Sequence, residues 1–177
     1  MQPDSEMGGG VFVDVGCGCG KPVFAAALCH PWERCVGVEI LQSLHALCLD
    51  ARDEYDASVR PRLPSRNADT ELLFLHGDAT VLDWSNADVV FMNSTCFDTK
   101  LMASLLARAE NLRDGAILIT MTMPVRHKDF TLLEQAPMDE QWGEATVFCH
   151  VKGKPIVEEE AADGGEGGAS DEAGPAA

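Results

Sequence analysis

The sequence predicts an α/β fold, in which a doubly wound, mostly parallel β-sheet is covered by helices on both faces and carries an antiparallel hairpin at one edge. Short apolar runs that suit buried strands alternate with segments of helical periodicity, which favours parallel strands. The last two strand candidates follow each other without a helix between them, which indicates antiparallel pairing. The 177 residues, 46% of them hydrophobic, allow one domain with a substantial core.

The first half of the chain is predicted as two strand and helix pairs. Residues 11–15 (VFVDV) form an apolar run between glycines, which is typical of a strand buried on both faces. Pro22 favours the first position of a helix, and Pro31 ends that helix by disfavouring helical geometry in the residue before it. Residues 35–40 (CVGVEI) are a second buried strand, and the apolar spacing over 41–55 predicts a second helix.

The second half is predicted as five further strands and one helix. Apolar runs bounded by turn residues predict the strands, and an apolar helical pattern lies between the runs at 87–93 and 116–122. The final two strands, joined by a turn-rich segment containing Pro137 and Gly143, pair antiparallel at the sheet edge. The predicted elements are a surface loop at 57–70, strands at 72–76, 87–93, 116–122, 130–134 and 145–151, and a helix at 100–112.

Charge and composition divide the chain into three parts. Residues 1–10 are expected to be a flexible amino terminus, 11–157 a folded domain, and 158–177 a disordered acidic tail rich in Gly and Ala. The net charge is -16, and residues 1–157 retain -9, so we expect no direct nucleic-acid binding. No apolar run is long enough for a membrane span and no signal peptide is present, so we expect an intracellular protein with free thiols.

A glycine turn joins the first strand to the first helix. Its sequence is DVGCGCG at 14–20, where backbone N–H groups commonly meet a nucleotide-like ligand. The dinucleotide pattern GxGxxG needs a glycine at Lys21, and the phosphate loop needs a glycine at Val15 and a hydroxyl residue at Pro22, so neither pattern fits. A tight structural turn without a ligand is the alternative at this point.

Acidic residues follow the neighbouring strands. Glu39 ends the second strand 19 residues after Gly20, close to the offset at which a carboxylate accepts hydrogen bonds from ribose hydroxyls. Asp78 follows the third strand in HGDAT and is a candidate for ligand binding. A role as a helix cap or turn aspartate is an equal alternative. Because the carboxyl ends of parallel strands meet at one edge, we expect Asp14, Glu39 and Asp78 to line one crevice.

The cysteines near the glycine turn suggest a zinc site, but the spacing opposes it. Cys17 and Cys19 lie within the turn that must approach the ligand, and no second CxxC pair supplies the remaining tetrahedral ligands. We therefore predict no metal site.

Five segments together resemble a known enzyme family. DVGCGCGK, VGVEI, HGDAT, VVFMNSTCF and WGEATVF, spread over 11–151, resemble the disruptor-of-telomeric-silencing family of histone-lysine methyltransferases, which belongs to the class I S-adenosylmethionine-dependent enzymes. The resemblance implies a Rossmann-like methyltransferase fold, S-adenosylmethionine as cofactor, a histone-type protein substrate and a nuclear location. The cofactor-binding residues that it implies are Asp14, Gly16, Cys17, Gly18, Gly20, Glu39, Ile40, Asp78, Ala79 and Asn93.

The acceptor side of the site follows the strand at 87–93. Asn93 is the predicted catalytic residue, a neutral amide that orients the acceptor amine, and Ser94 and Phe97 are candidates for the substrate channel. The alternative for Asn93 is a turn residue at a strand end. The segment lacks the Pro-Pro-aromatic pattern of enzymes that methylate nucleic-acid bases, so base methylation is disfavoured. Trp142 is expected to pack rather than to bind substrate.

The sequence also departs from the family pattern. Lys21 replaces the usual Gln, Ala79 replaces an aromatic residue, and Ser94 and Thr95 replace Asn and Phe. We further expect the long amino-terminal lid of the family to be absent from this chain. Three functions therefore stay open: a protein-lysine methyltransferase, a cofactor-binding module without its own catalysis, and a small-molecule methyltransferase.

Overall fold

A computed structural model describes residues 9–140 and 143–154, which form one seven-stranded sheet with flanking helices. Most strands and helices begin and end close to the positions that periodicity and proline predict, and the exceptions are α3 and β6. The strands are β1 Val11–Val15, β2 Arg34–Glu39, β3 Glu71–His76, β4 Val89–Met92, β5 Ile117–Met121, β6 Phe130–Glu140 and β7 Gly143–Lys152. The helices are α1 Lys21–Cys29, α2 Gln42–Glu54, α3 Ser65–Ala68 and α4 Thr99–Ala109.

The strands lie in the order β3-β2-β1-β4-β5-β7-β6. The first five are parallel, and β7 is antiparallel to both β5 and β6. The predicted fold class, a mostly parallel sheet with an antiparallel edge hairpin, is therefore confirmed. The strand order reverses direction between β1 and β4, and in such sheets the loops that leave the two strands at this position diverge and open a crevice.

The core has two parts, one on each face of the sheet. Alternate side chains of β1 point to opposite faces, so this central strand contributes to both parts. One part packs β1 against α4, and the other packs it against α1 and α2. The first part includes Val13, Val15, Leu105 and Ala109, and the second includes Phe12, Val23, Ala27 and Cys48.

The predicted surface loop at 57–70 is wrong in its local structure. The chain leaves α2 through a π-helical turn, Tyr55–Val59, and a 3₁₀ turn, Arg60–Arg62, before reaching α3. Side chains hold these turns against the domain: Asn67 Nδ2 donates to the Ala27 carbonyl at 3.1 Å, and Arg60 donates to the Thr70 carbonyl at 2.8 Å. Such long-range bonds leave no pattern in the local sequence. The prolines of this segment do leave one, and they predicted a loop.

The edge hairpin is longer than predicted. We expected a turn-rich connection at Pro137, but β6 continues through this residue and pairs with β7 as far as Glu140 and Gly143. Proline is tolerated here because β6 is the edge strand, where one side of the backbone needs no partner.

The chain termini are described only in part. Gly9 N–H donates to the Pro31 carbonyl at 3.0 Å, so the chain just before β1 is attached to the loop that precedes β2. Residues 1–8, Trp142 and the acidic tail at 158–177 lie outside the described residues, and the domain boundaries stay predictions. Within the described part of the chain, no helix combines the length and the apolar character needed to cross a membrane.

Candidate functional site

The glycine turn at 16–20 is fixed to the neighbouring strand through its backbone. The N–H groups of Gly16 and Cys17 donate to the Val38 carbonyl of β2 at 2.9 and 3.0 Å, and Gly20 N–H donates to the Cys17 carbonyl at 2.8 Å. Gly16, Gly18 and Gly20 have φ angles of 75°, 58° and 82°, a region that side-chain-bearing residues rarely adopt. These hydrogen bonds and φ angles fix the backbone of the turn between β1 and α1.

The three glycines have different surroundings. A Cβ at Gly20 would lie 2.7 Å from the Phe74 ring, and one at Gly16 would lie 3.1 Å from Phe97, so both glycines are needed for packing. A Cβ at Gly18 would meet nothing within 4 Å. Gly18 alone therefore presents its backbone to open space, where a ligand could approach closely.

Glu39 clamps the glycine turn from the end of β2. The side chain is only 5% exposed, its Oε2 accepts from Gly18 N–H at 2.8 Å, and its Oε1 accepts from Leu41 N–H at 2.8 Å. Each carboxylate oxygen has a second lone pair, so both can still accept a ligand hydroxyl. The sequence offset predicted a ribose acceptor and gave no indication of this structural clamp.

Asp14 is a buried carboxyl group beside the crevice. It is 1% exposed, and its Oδ2 has no hydrogen-bond partner among the described residues. Burial, and secondarily the negative charge of Glu39, raises the pKa of Asp14 to about 7. A buried oxygen without a partner is costly, and a positively charged ligand group at this position would satisfy it.

Asp78 and Ala79 lie beyond β3 at a second part of the crevice. Asp78 is exposed, and its Oδ1 accepts from the N–H and the hydroxyl of Thr80 at 2.8 and 2.7 Å, which lowers the pKa of Asp78. The turn aspartate that the sequence left as an alternative is thus present. Asp78 and Ala79 also line a small, mainly apolar cavity of about 120 Å³ together with Ile40.

The acceptor candidates at the end of β4 separate into two kinds. Asn93 is exposed and lines the crevice, and Phe97 lines it as well. Ser94 is fully buried, and its hydroxyl donates to the Met121 carbonyl of β5. The proposed channel role of Ser94 is therefore not supported by its geometry, because its one proton and its side chain are turned into the protein.

Three adjoining cavities make up the crevice, and Gly16 lines all of them. The two larger ones measure about 540 and 720 Å³ and meet at Gly16, Gly18 and Asn93. Of the ten predicted cofactor-binding residues, Gly20 is the one that lines none of the three, since it packs against Phe74 and Phe24. Residues not predicted but present in the lining include Leu41, Leu44, Thr95 and Met121.

Two of the cysteines around the turn, Cys17 and Cys48, are packed thiols, whereas Cys19 is exposed. Cys17 and Cys48 are buried, Cys48 Sγ donates to the Gly18 carbonyl at 3.1 Å, and burial raises the pKa of both thiols. All seven cysteines are free. Among residues 9–140 and 143–154, no group of three or more His, Cys, Asp or Glu side chains is arranged to hold a metal ion.

Solved structures with this architecture include methyltransferases. An RNA methyltransferase from Salinibacter ruber in complex with S-adenosyl-L-homocysteine superimposes with a TM-score of 0.62 at 22% identity, over 85% of each chain. M. capricolum TrmK in complex with S-adenosyl-homocysteine superimposes with a TM-score of 0.60 at 10% identity, over 85% of this chain and 66% of TrmK. At these identities the similarity establishes the Rossmann-like fold.

Sequence comparison is more specific. The H3 lysine-79 specific histone-lysine N-methyltransferase of Yarrowia lipolytica is 30% identical over 135 residues, which cover 72% of this chain. The chain spans about a quarter of that protein, since the match covers 25% of its length. The profile described as "Histone methylation protein DOT1" matches residues 6–142 and includes the glycine turn, Glu39, Asp78 and Asn93. The resemblance seen in the motifs is confirmed, and the chain belongs to the DOT1 family of histone methylation proteins.

Proposed function

We propose that this chain binds S-adenosylmethionine in the crevice and transfers its methyl group to a lysine amine of a histone-type protein. The observation that carries the proposal is the clamp between Glu39 and Gly18, which joins a ribose-type acceptor to a glycine whose backbone faces open space. A purely structural turn would have no need for an open position at its centre. Membership of the DOT1 family supports the lysine acceptor.

The residues present fit the cofactor at three points. The unpartnered Oδ2 of Asp14 suits the ammonium group of the methionine part, and the free lone pairs of Glu39 suit the two ribose hydroxyls. The small apolar cavity beside Ala79 and Ile40 suits a flat adenine ring. When bound, the cofactor supplies an activated methyl group on a sulfonium sulfur.

The chain itself has to align the acceptor and keep it neutral. A lysine amine attacks through its lone pair, so it must lose a proton to solvent before transfer and then be held in line with the methyl group. Asn93 lies where the two larger cavities meet, and its amide oxygen can accept an N–H of the amine without engaging the lone pair. We assign Asn93 this orienting role.

Charge favours a basic protein substrate. The chain carries a net charge of -16, which attracts a histone and repels the DNA wound around it. We therefore propose histone protein as the partner, without direct binding to nucleic acid. We also propose a nuclear location, because that is where histones are methylated on chromatin.

Gly18→Val tests the cofactor assignment. A branched side chain at this position would extend into the crevice, so we expect binding of S-adenosylhomocysteine, measured by calorimetry, to weaken at least tenfold, and tritiated-methyl transfer to core histones to fall with it. Gly143→Val is the matched control, because Gly143 also has a positive φ, of 140°, and a Cβ there would likewise meet nothing within 4 Å, but Gly143 lies in the edge hairpin.

Three outcomes would contradict the proposal at different points. Normal cofactor binding by a folded Gly18→Val variant would mean that the turn is structural only. Tight binding without transfer to core histones or to proteins of a whole-cell lysate by the wild-type chain would leave a cofactor-binding module, and transfer to small metabolites alone would indicate the third function that the sequence left open.

A further inference from the structure

Three polar side chains at the acceptor end of the crevice form a hydrogen-bonded chain. Thr95 Oγ1 donates to Asn93 Oδ1 at 2.9 Å, and the hydroxyls of Thr95 and Thr122 lie 3.0 Å apart. Thr95 lies in the short 3₁₀ turn after β4, and Thr122 follows β5. These hydrogen bonds thus connect the ends of two neighbouring parallel strands beside the cavity that Asn93 lines.

The direction of these hydrogen bonds follows from proton counting. A threonine hydroxyl has one proton, and Thr95 gives its proton to the Asn93 carbonyl. The bond between the two threonines must then run from Thr122 to Thr95. The Asn93 carbonyl is fixed by this chain and keeps its second lone pair, the one that an amine N–H would use.

Thr122 is held in a backbone conformation that threonine rarely adopts. Its φ is 68°, and it is the one non-glycine residue with a positive φ among the described residues. Such a conformation is energetically unfavourable for a residue with a branched side chain and persists where the surroundings enforce it. Here Thr122 N–H donates to the Thr146 carbonyl of β7 at 2.8 Å, and Thr120 Oγ1 donates to the Met123 carbonyl at 2.7 Å.

The strained turn has a clear consequence for the hydroxyl of Thr122. Bonds on both sides of Thr122 fix its backbone, and so bring its side chain to Thr95 instead of leaving it free in solvent. An exposed turn that only connected β5 to β6 would adopt a negative φ at this residue, which has the lower free energy. The strain is therefore evidence that the position of this side chain matters.

We propose that Thr95 and Thr122 are positioning residues that orient the Asn93 carbonyl toward the acceptor amine. This inference rests on the proposed function of Asn93. Thr95 is half-buried and Thr122 is exposed, so water competes for their hydroxyls when no substrate is bound, and their effect should increase when a substrate covers the site. They act through Asn93, so they should change turnover and leave cofactor affinity nearly unchanged.

Matched variants separate the hydroxyls from the shape of the side chains. Thr95→Val and Thr122→Val each remove a hydroxyl and keep the branched form, and Thr95→Ser and Thr122→Ser keep the hydroxyl. Thr131→Val is the control, because it also breaks one hydroxyl bond, to the Gly153 carbonyl at 2.8 Å, but at the strand ends opposite those that line the crevice. The readouts are ¹⁵N relaxation of the Asn93 side-chain amide, kcat and KM for methyl transfer to core histones, and binding of S-adenosylhomocysteine.

We expect the two valine variants to mobilise the Asn93 amide and to lower kcat about tenfold, with KM and cofactor affinity within about twofold of the wild type. The serine variants should restore both the ordered amide and kcat. An Asn93 amide that stays equally ordered in the valine variants, or an unchanged kcat, would overturn the inference. If the wild-type protein transfers no methyl group to core histones, the proposed function fails. The amide relaxation alone then decides whether the hydroxyls of Thr95 and Thr122 order the Asn93 side chain.

Discussion

The two sides of the crevice are built from different chemistry. On the side of β1 and β2, the polar groups are buried carboxyls, Asp14 and Glu39, which are 1% and 5% exposed. On the side of β4 and β5, they are neutral amide and hydroxyl groups near solvent, those of Asn93, Thr95 and Thr122. Buried carboxylates give strong ground-state binding of a ligand, whereas neutral groups near the opening of the crevice orient the acceptor for reaction. Substitutions on the first side should therefore change affinity, and those on the second should change turnover.

The largest effect that separates the two sides is expected for Asn93→Ala. Removing an amide that only aligns the acceptor should lower transfer by about a hundredfold or more, since small misplacements of a reactant reduce rates steeply. Affinity for the cofactor should remain within about threefold, because the amide acts in the transition state. Tritiated-methyl transfer to core histones and calorimetry with S-adenosylhomocysteine measure the two quantities.

Asn111→Ala is the control for this variant, because Asn111 lies just after α4 and bonds locally to the Arg108 carbonyl at 3.3 Å. Loss of cofactor binding in Asn93→Ala would place the amide with the buried carboxylates and remove the contrast between the two sides. No change in either quantity would move the acceptor site elsewhere.

An intermediate effect, on affinity instead of turnover, is expected for Glu39→Ala. The substitution removes the charge-assisted acceptor of the ribose hydroxyls and the clamp on Gly18, which together should weaken S-adenosylhomocysteine binding by about 1.5 to 3 kcal/mol, or roughly ten- to 150-fold. The thermal midpoint should fall as well, because the N–H groups of Gly18 and Leu41 lose their acceptor.

Glu71→Ala provides the comparison for Glu39. Glu71 begins the adjacent strand β3 and pairs with Arg34 at 2.6 Å in an exposed position, where an ion pair contributes little. We expect this control to change neither affinity nor the thermal midpoint by a measurable amount. Wild-type affinity in Glu39→Ala would reject both the ribose contact and the importance of the clamp.

Most of the fold could be predicted because local signals coincide with its elements. The run VFVDV and Pro22 each act within a few residues of the structure that they specify, and β1 and α1 follow from them. The helical turns at 55–68 could not be predicted, since they depend on bonds from Asn67 and Arg60 to distant carbonyls. Pro137 misled for a related reason: it is disfavoured inside a sheet but tolerated on an edge strand, and edge position is a tertiary property.

The candidate site was predictable as a set of residues but not in its internal bonding. Motif spacing identified Glu39 and Gly18 separately, and their contact at 2.8 Å is visible only once β1 and β2 pair. The burial of Ser94 and the contact between Thr95 and Thr122 likewise depend on the pairing of β4 with β5. These bonds join residues 21 to 27 positions apart, beyond the reach of any local pattern.

The smallest expected effect near neutral pH is that of pH itself, and it sharpens the electrostatic side of the comparison. Burial raises the pKa of Asp14 from the ordinary value of 3.8 to about 7, so the neutral form is favoured in the folded chain. The free energy of unfolding should therefore decrease as the pH rises from about 4 to about 7, the interval in which the unfolded chain binds fewer protons than the folded one. Above pH 7 this contribution is constant.

Ligand binding should show the opposite dependence on pH. A cofactor ammonium group needs the ionised carboxylate of Asp14, so affinity for S-adenosylhomocysteine should weaken by about tenfold for each pH unit below 7. Asp14→Asn should bind more weakly at pH 7.5, lose this dependence and unfold at a higher temperature at pH 8, whereas Asp53→Asn, at an exposed residue paired with Arg52, should behave as wild type. Calorimetry between pH 5.5 and 7.5, with thermal unfolding between pH 5.5 and 8, measures both effects. An affinity that does not change with pH in the wild-type chain would mean that Asp14 does not meet a charged group of the ligand, and that its buried oxygen belongs to the structure of β1 alone.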